Sequence, residues 1–295
     1  MDPVTLFSII KGGIVLGALY ALMATGLSLV WTTLGIFNFA HGAFIALGAY
    51  VAWQFSATDA FGWPLALGII ATSLVMFAIG AFLHLTLVKP FERRSDVVLI
   101  TVITTLAGSA ILENLLLVIW GPRSKQIPKM AEGELAIGGF HLAFSEIILL
   151  VLVLAILVGV GAFLRYSRPG RAMRAVSQNR EAAQLLGLNV PMYFALVLGL
   201  SAVTAGLAGV FIGTIRFMNP AMGSEPLMKA LIVVIFGGVA RFSSPIYAAF
   251  IIGLLEAFSI YFVGLYWAPA VLFFTMIVVL LIKPEGLFGK YQRTL

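Results

Sequence analysis

The sequence predicts an all-α fold, a polytopic transmembrane helical bundle with broken or re-entrant helices, and three observations predict it. Of the 295 residues, 61% are hydrophobic and only 10% charged, against about 25% charged in an ordinary soluble domain. The apolar residues fall in continuous blocks rich in Leu, Ala, Gly and Ile, and a bilayer takes about 20 such residues per helix. The short alternating strands of a membrane barrel are not the pattern, and helices are the other way to satisfy every backbone polar group inside lipid. Thirdly, two of the blocks are interrupted by glycines and polar side chains, which at membrane depth are tolerated where the chain lines a cavity or is buried in protein.

Taken in order, the blocks lie at about 4–33, 38–56, 64–88, 97–120, 145–165, 193–215, 227–240, 245–265 and 267–283. The first reads as a span of the mature chain and not a signal peptide, because Asp2 stands where a basic segment would and the block is too long. The 38–56 block is broken by Asn38, His41, Gly42 and Gly48, and the 227–240 block is short and ends in Gly237-Gly238. Either reads as a half-helix or a re-entrant segment. Gly-rich apolar stretches followed by an Asn-containing break recur, through Asn38 and through Asn219-Pro220, which hints at a duplicated fold. The whole of 1–295 reads as one transmembrane domain with a polar segment at about 168–191.

The net charge is +6. In a soluble protein that would raise nucleic acid as a partner; here the basic residues sit in a few loops, and lipid is the partner they imply. Arg165, Arg168, Arg171, Arg174 and Arg180 face one acid, Glu181; Lys89, Arg93 and Arg94 face Glu92 and Asp96; Lys283, Lys290 and Arg293 face Glu285. The 121–146 loop balances Arg123, Lys125 and Lys129 with three glutamates. The positive-inside rule places the three basic loops in the cytoplasm. The N-terminus is then outside if 38–56 crosses fully and inside if it is re-entrant; a full crossing is the favoured expectation.

The polar segment carries helix signals. Asn179 suits an N-cap, Glu181 the first turn, Gly187 the residue past the end, and Pro191 the chain beyond. A helix of two turns results, with the small Ala182 and Ala183 at its centre open to close approach by a partner; upstream, Arg171 and Arg174 share a face. The plainer alternative is a basic loop that only orients the chain. No phosphate-binding Gly-x-x-x-x-Gly-Lys-Ser/Thr loop occurs, so a surface helix here points to docking on a separate motor.

Four stretches resemble one known family. They are Gly17-Ala-Leu-Tyr-Ala-Leu-Met-Ala-Thr-Gly-Leu-Ser-Leu, Phe37-Asn-Phe-Ala-His-Gly-Ala-Phe-Ile-Ala-Leu-Gly-Ala-Tyr50, the Arg171–Asn189 segment, and Lys229-Ala-Leu-Ile-Val-Val-Ile-Phe-Gly-Gly-Val with Gly253-Leu-Leu-Glu256. They are similar to the permeases of branched-chain amino-acid ABC importers, a family that includes urea and short amide permeases; the Asn-Phe-Ala-His-Gly block points to the shorter, H-like permease. The resemblance implies a bacterial inner-membrane permease subunit that moves branched-chain or other amino acids, or related small polar solutes. It implies a second, M-like permease, two cytoplasmic ABC ATPases that hydrolyse ATP, a periplasmic substrate-binding protein, and no cofactor or metal in this chain. Arg171, Arg174, Asn179, Glu181, Ala182, Ala183 and Gly187 would belong to the coupling helix on the ATPase. Around Ile232–Gly238 the chain departs, with Ile-Val-Val-Ile-Phe where smaller residues are usual, so leucine is not assumed as substrate.

Polar groups at membrane depth usually face a cavity or a partner. Asn38 and His41 either line a pathway where the helix breaks or cap the broken backbone. Glu113 and Asn114 either line the pathway or lock their helix to a neighbour, the lock being favoured. Glu256 either serves the pathway or pairs with Lys229, the pair being favoured; His84 reads as snorkelling at the inner interface. There are no cysteines, hence no thiolate metal site or Cys nucleophile. A Ser-His pair from Gly108-Ser109 and His41 has no support, and no other enzyme constellation emerges. The second class of reading is a stand-alone secondary transporter or channel, which should carry more intramembrane carboxylates for coupling ions than this chain does.

Overall fold

The computed structural model describes residues 1–58, 60–91, 96–137, 139–238 and 242–289. Glu92, Arg93 and Arg94 of the second basic loop, Val239 of the last family stretch, and Lys290 and Arg293 of the tail lie outside the described residues. The described chain is helical, with one small hairpin. In order it forms α1 (Pro3–Leu34), α2 (His41–Ser56), α3 (Leu65–Leu83), α4 (Val97–Trp120), β1 (Glu134–Ile137), β2 (Phe140–Ala143), α5 (Phe144–Tyr166), α6 (Arg168–Gln178), α7 (Arg180–Leu185), α8 (Val190–Ile215), α9 (Ser224–Gly237), α10 (Ser244–Phe262) and α11 (Ala268–Ile282). Six of these helices, α3 with its extension to Phe91 among them, are long and apolar enough to cross a membrane, and α11 is a shorter apolar helix.

The bundle has two ends, fixed by α1. Its start lies beside the hairpin, where Lys11 pairs with Glu146 at 2.9 Å and Phe7 meets Phe140 with ring centroids 4.8 Å apart. Its C-terminus lies beside α7, where Arg180 reaches the carbonyls of Thr33 and Leu34. A helix of 32 residues is about 48 Å long at about 1.5 Å per residue, more than a hydrocarbon core of about 30 Å. The chain then turns back at Gly35, which has φ +71°, and runs non-helically inward. It becomes helical again only at His41, beside Met23 in the middle of α1. From there α2 leads to the hairpin end, where Gln54 accepts from Trp120 Nε1 at 2.8 Å. Residues 35–56 thus complete a crossing although α2 has only 16 residues. The N-terminus and the 121–143 loop share one end, as the full-crossing expectation requires.

The second half repeats this course in the opposite direction. α8 starts at the α6–α7 end and stops at the hairpin end, where Met218 and Lys125 exchange backbone hydrogen bonds of 2.8 and 3.1 Å. The chain again turns back without helix, through Asn219-Pro220, and restarts inside the bundle as α9, which has only 14 residues. α9 ends at the α6–α7 end, where Leu287 N donates to the Phe236 carbonyl at 2.7 Å and Phe242 packs against the buried cluster that includes Met173, Val176 and Ala183. α10 and α11 then cross and return. So α1 to α4 and α8 to α11 form two repeats of inverted topology, each with a full first helix and a half-length second one.

Close helix approach holds the repeats together. α10 lies antiparallel to α1: a Cβ added at Gly17 would come 2.8 Å from Phe250 Cα, and one at Gly13 2.9 Å from Leu254 Cα. Without a hydrophobic driving force in lipid, such backbone proximity supplies dispersion contact instead. α1, α2 and α8 are the inner layer, with Leu22, Phe44, Tyr50 and Phe211 fully enclosed. α3, α4, α5 and α11 form the outer layer and leave apolar faces such as Leu74, Val118, Val158 and Leu281 uncovered by protein, as lipid-facing helices do.

Candidate functional site

Where the two half-helices start, they meet. A Cβ at Gly42, in the first turn of α2, would come 2.7 Å from the Gly223 carbonyl oxygen, just before α9. Only glycine allows these backbones so near each other. Asn38 caps the break: its Oδ1 accepts from Ala40 N at 3.1 Å. His41 is fully enclosed, with Nε2 3.0 Å from the Met23 carbonyl and Nδ1 3.3 Å from Ser201 Oγ. A carbonyl only accepts, so Nε2 carries the proton and Nδ1 accepts from the serine hydroxyl. One imidazole thereby ties α2 to α1 and to α8. The sequence left Asn38 and His41 open between pathway lining and backbone capping; the geometry shows capping by Asn38 and cross-linking by His41.

A charged cluster surrounds α9. The Glu256 carboxylate, 2% exposed, accepts from Tyr20 Oη at 2.5 Å and from Lys229 Nζ at 2.7 Å. Lys229 also pairs with Glu225 at 2.7 Å, and Arg216 stands 3.9 Å from Glu225. α1, α8, α9 and α10 are thus joined from buried to exposed. The Lys229–Glu256 link matches the favoured sequence reading. Tyr20 was missed, because it stands more than two hundred residues away from Glu256; Glu225 was legible as the i−4 partner of Lys229 and was overlooked.

Glu113 and Asn114 behave otherwise. Asn114 is exposed and its Nδ2 donates to Ala110 O at 2.8 Å, while Glu113 accepts from Ser109 Oγ at 3.4 Å. Both bonds stay within α4, so the favoured lock to a neighbouring helix is corrected. The reason is facial: α4 packs through Thr101, Thr105, Gly108 and Leu116, and Asn114 lies off that stripe. His84 is also corrected. It does not snorkel; it is enclosed in a π-helical turn, His84–Val88, against Phe194 with ring centroids 6.2 Å apart. Ser109 and His41 have different partners and form no catalytic pair. Among the described residues no three His, Asp or Glu side chains converge as a metal site would need.

At the other end, α6 and α7 form a capped double turn. Ser167 Oγ accepts from Gly170 N at 2.9 Å to start α6, and Asn179 Oδ1 accepts from Ala182 N at 2.9 Å to start α7. Gly187, at φ +81°, ends α7, and Asn189 caps α8. α6 was not foreseen; its buried stripe of Gly170, Met173 and Val176 lies inside what reads as a polar run. Arg171 Nη1 donates to Tyr166 O at 2.8 Å and Arg174 Nη2 to Arg165 O at 3.3 Å, covering the last carbonyls of α5, where a cation is favoured. Ala183 is 2% exposed, so the expectation of an Ala182-Ala183 pair open to a partner is corrected. Asn179 sets the helix phase, and in that phase Ala183 faces the chain's own core. What α7 exposes is Glu181, Ala182, Gln184 and Leu185, with Leu186 after it; Leu185 is 90% and Leu186 81% exposed.

The chain is similar to the high-affinity branched-chain amino acid transport system permease protein LivH of Escherichia coli K12, with 29% identity over 94% of each chain. It is 27% identical to the corresponding permease protein BraD of Pseudomonas aeruginosa, again over 94% of each. A branched-chain amino acid transport permease protein of Methanocaldococcus jannaschii is 29% identical over 95% of this chain and 92% of its own. The family model described as branched-chain amino acid transport system, permease component, matches residues 9–280. That match runs from within α1 to within α11 and includes the half-helix junction and the α6–α7 segment, and the chain belongs to this family of multi-pass membrane permeases.

Proposed function

We propose that this chain is the membrane-spanning permease subunit of an ATP-driven importer for branched-chain or other amino acids, or related small polar solutes. An extracytoplasmic binding protein delivers the solute, a second permease completes the path, and two ATPase subunits supply the energy. α7 supports this reading more than any other feature. A six-residue helix, capped at both ends, presents Leu185 and Leu186 nearly free of contact beside a cluster of arginines. The basic residues place this end in the cytoplasm by the positive-inside rule, so the two leucines are offered to a protein in water. A groove on an ATPase subunit fits them. The Glu256 carboxylate is already satisfied by Tyr20 and Lys229, which disfavours an ion-coupling role and with it the stand-alone transporter.

The test is assembly. Leu185→Asp with Leu186→Asp alters no buried group of the chain, and a charge forced into a protein interface unpaired costs about 3–5 kcal/mol. The double variant should insert normally and lose co-purification with the ATPase. Full assembly and full transport by it would contradict the reading.

A further inference from the structure

Arg180 opens α7, yet its side chain turns back across the face of the bundle. Nη2 donates to the carbonyls of Thr33, at 3.3 Å, and Leu34. Those belong to the last turn of α1, whose carbonyls lack partners within the helix and carry the negative end of its dipole. The guanidinium lies over the Phe194 ring, 5.0 Å from its centroid, a cation–π contact. Gly35 follows at once, and after it the non-helical run that leads down to His41 and the half-helix junction. Between α7 and this run lies a cavity of about 220 Å³, lined by Leu34, Ile36, Val88, Gln184 and Phe194 among others. Arg180 lines that cavity and ties α7 to the end of α1 through polar contacts.

We propose that Arg180 is a positioning residue which ties movement of α7 to the break between α1 and α2. This rests on the reading of α7 as the ATPase-facing element. When the ATPase displaces α7, the guanidinium draws on the end of α1 and on Gly35. The strain passes along residues 35–40 to the point where Gly42 meets Gly223, so the two repeats shift against each other. Arg suits this role because one Nη2 group serves both carbonyls while the delocalised guanidinium also lies over an aromatic ring, whereas Lys offers a compact point charge.

The experiment uses the complete transporter in liposomes with its binding protein, comparing Arg180→Gln, Arg180→Lys and, as an exposed control, Arg168→Gln. Three quantities are read: ATPase bound per permease, basal hydrolysis, and solute moved per ATP. Arg180→Gln should keep the first two within about twofold of wild type and lose about tenfold in solute per ATP, a coupling change of ordinary size for a linking residue. Arg180→Lys should fall between, since it keeps a cation for the carbonyls without the guanidinium's contact to Phe194, and Arg168→Gln should match wild type. Solute per ATP within about twofold of wild type in Arg180→Gln would overturn the proposal. So would loss of assembly or insertion in both Arg180 variants, which would make the residue a folding or docking group, or an equal loss in Arg168→Gln, which would make the effect one of charge alone. Absence of ATP-driven uptake in the wild type would sink the proposed function itself and this coupling role with it.

Discussion

Replacing Lys229 by Met leaves the Glu256 carboxylate with Tyr20 alone. The ammonium it loses is 2.7 Å away, with a side chain only 13% exposed. Removing one partner of a buried ion pair costs about 3–5 kcal/mol; partial access at Lys229 and the surviving 2.5 Å bond from Tyr20 pull the expected loss toward about 3 kcal/mol. Glu225 also loses a partner, but its side chain is 57% exposed and that term is small. The change Lys229→Met with Glu256→Leu removes both charges, and such a swap in an interior is often neutral or better. The assay is unfolding in mixed micelles followed by circular dichroism, for wild type, both single variants and the double. The single variants should be clearly weaker than the double. If Lys229→Met loses under about 1 kcal/mol, or the double is no more stable than the singles, the pair is not the clamp on α9 that the geometry describes.

Gly42→Ala should cost far more than an ordinary surface change, because its methyl meets the backbone of Gly223 at 2.7 Å and not a movable side chain; yield and thermal stability check it. His41→Leu should lose about 1–3 kcal/mol, since it removes the imidazole bonds to the Met23 carbonyl and to the Ser201 hydroxyl in the enclosed site, in the same unfolding assay. Ala183→Glu should lower the amount of folded chain, whereas Ala182→Glu should leave folding intact and act only on the ATPase, a contrast read by size-exclusion yield against co-purification. Cysteines placed at Ser177 and at Ser124 in this cysteine-free chain should be labelled from opposite sides of sealed cells, with Ser124 outside.

The fold was legible wherever length and breaks speak locally. The spans followed from their apolar runs, and α9 as a half-helix followed from its short block and the Gly237-Gly238 end. The recurrence of Asn38 and Asn219-Pro220 marked the two repeats, though their inverted direction needed the course of both halves through the bundle. At the surface, Asn179 and Gly187 gave the limits of α7. What stayed hidden depends on phase or on distance. Composition cannot say which of two adjacent alanines faces inward, and the fold turns Ala183 in and Ala182 out. Arg180 looked like one more basic residue of the loop, because its partners, the carbonyls of Thr33 and Leu34, lie 147 and 146 residues away and are backbone atoms with no sequence signature. Tyr20 was hidden from Glu256 in the same way. The hairpin of β1 and β2 went unread because its loop is short of β-branched residues.

The proposed function requires that this permease move solute only when an ATPase works on it. The direct measurement is uptake of a labelled branched-chain amino acid into liposomes that hold the chain with its second permease, with and without the ATPase subunits, with the binding protein outside and ATP enclosed. Uptake should require the ATPase, ATP and the binding protein together, and the purified chain alone should hydrolyse no ATP. Equal uptake by the permease without the ATPase, driven by an ion gradient or by none, would contradict the account.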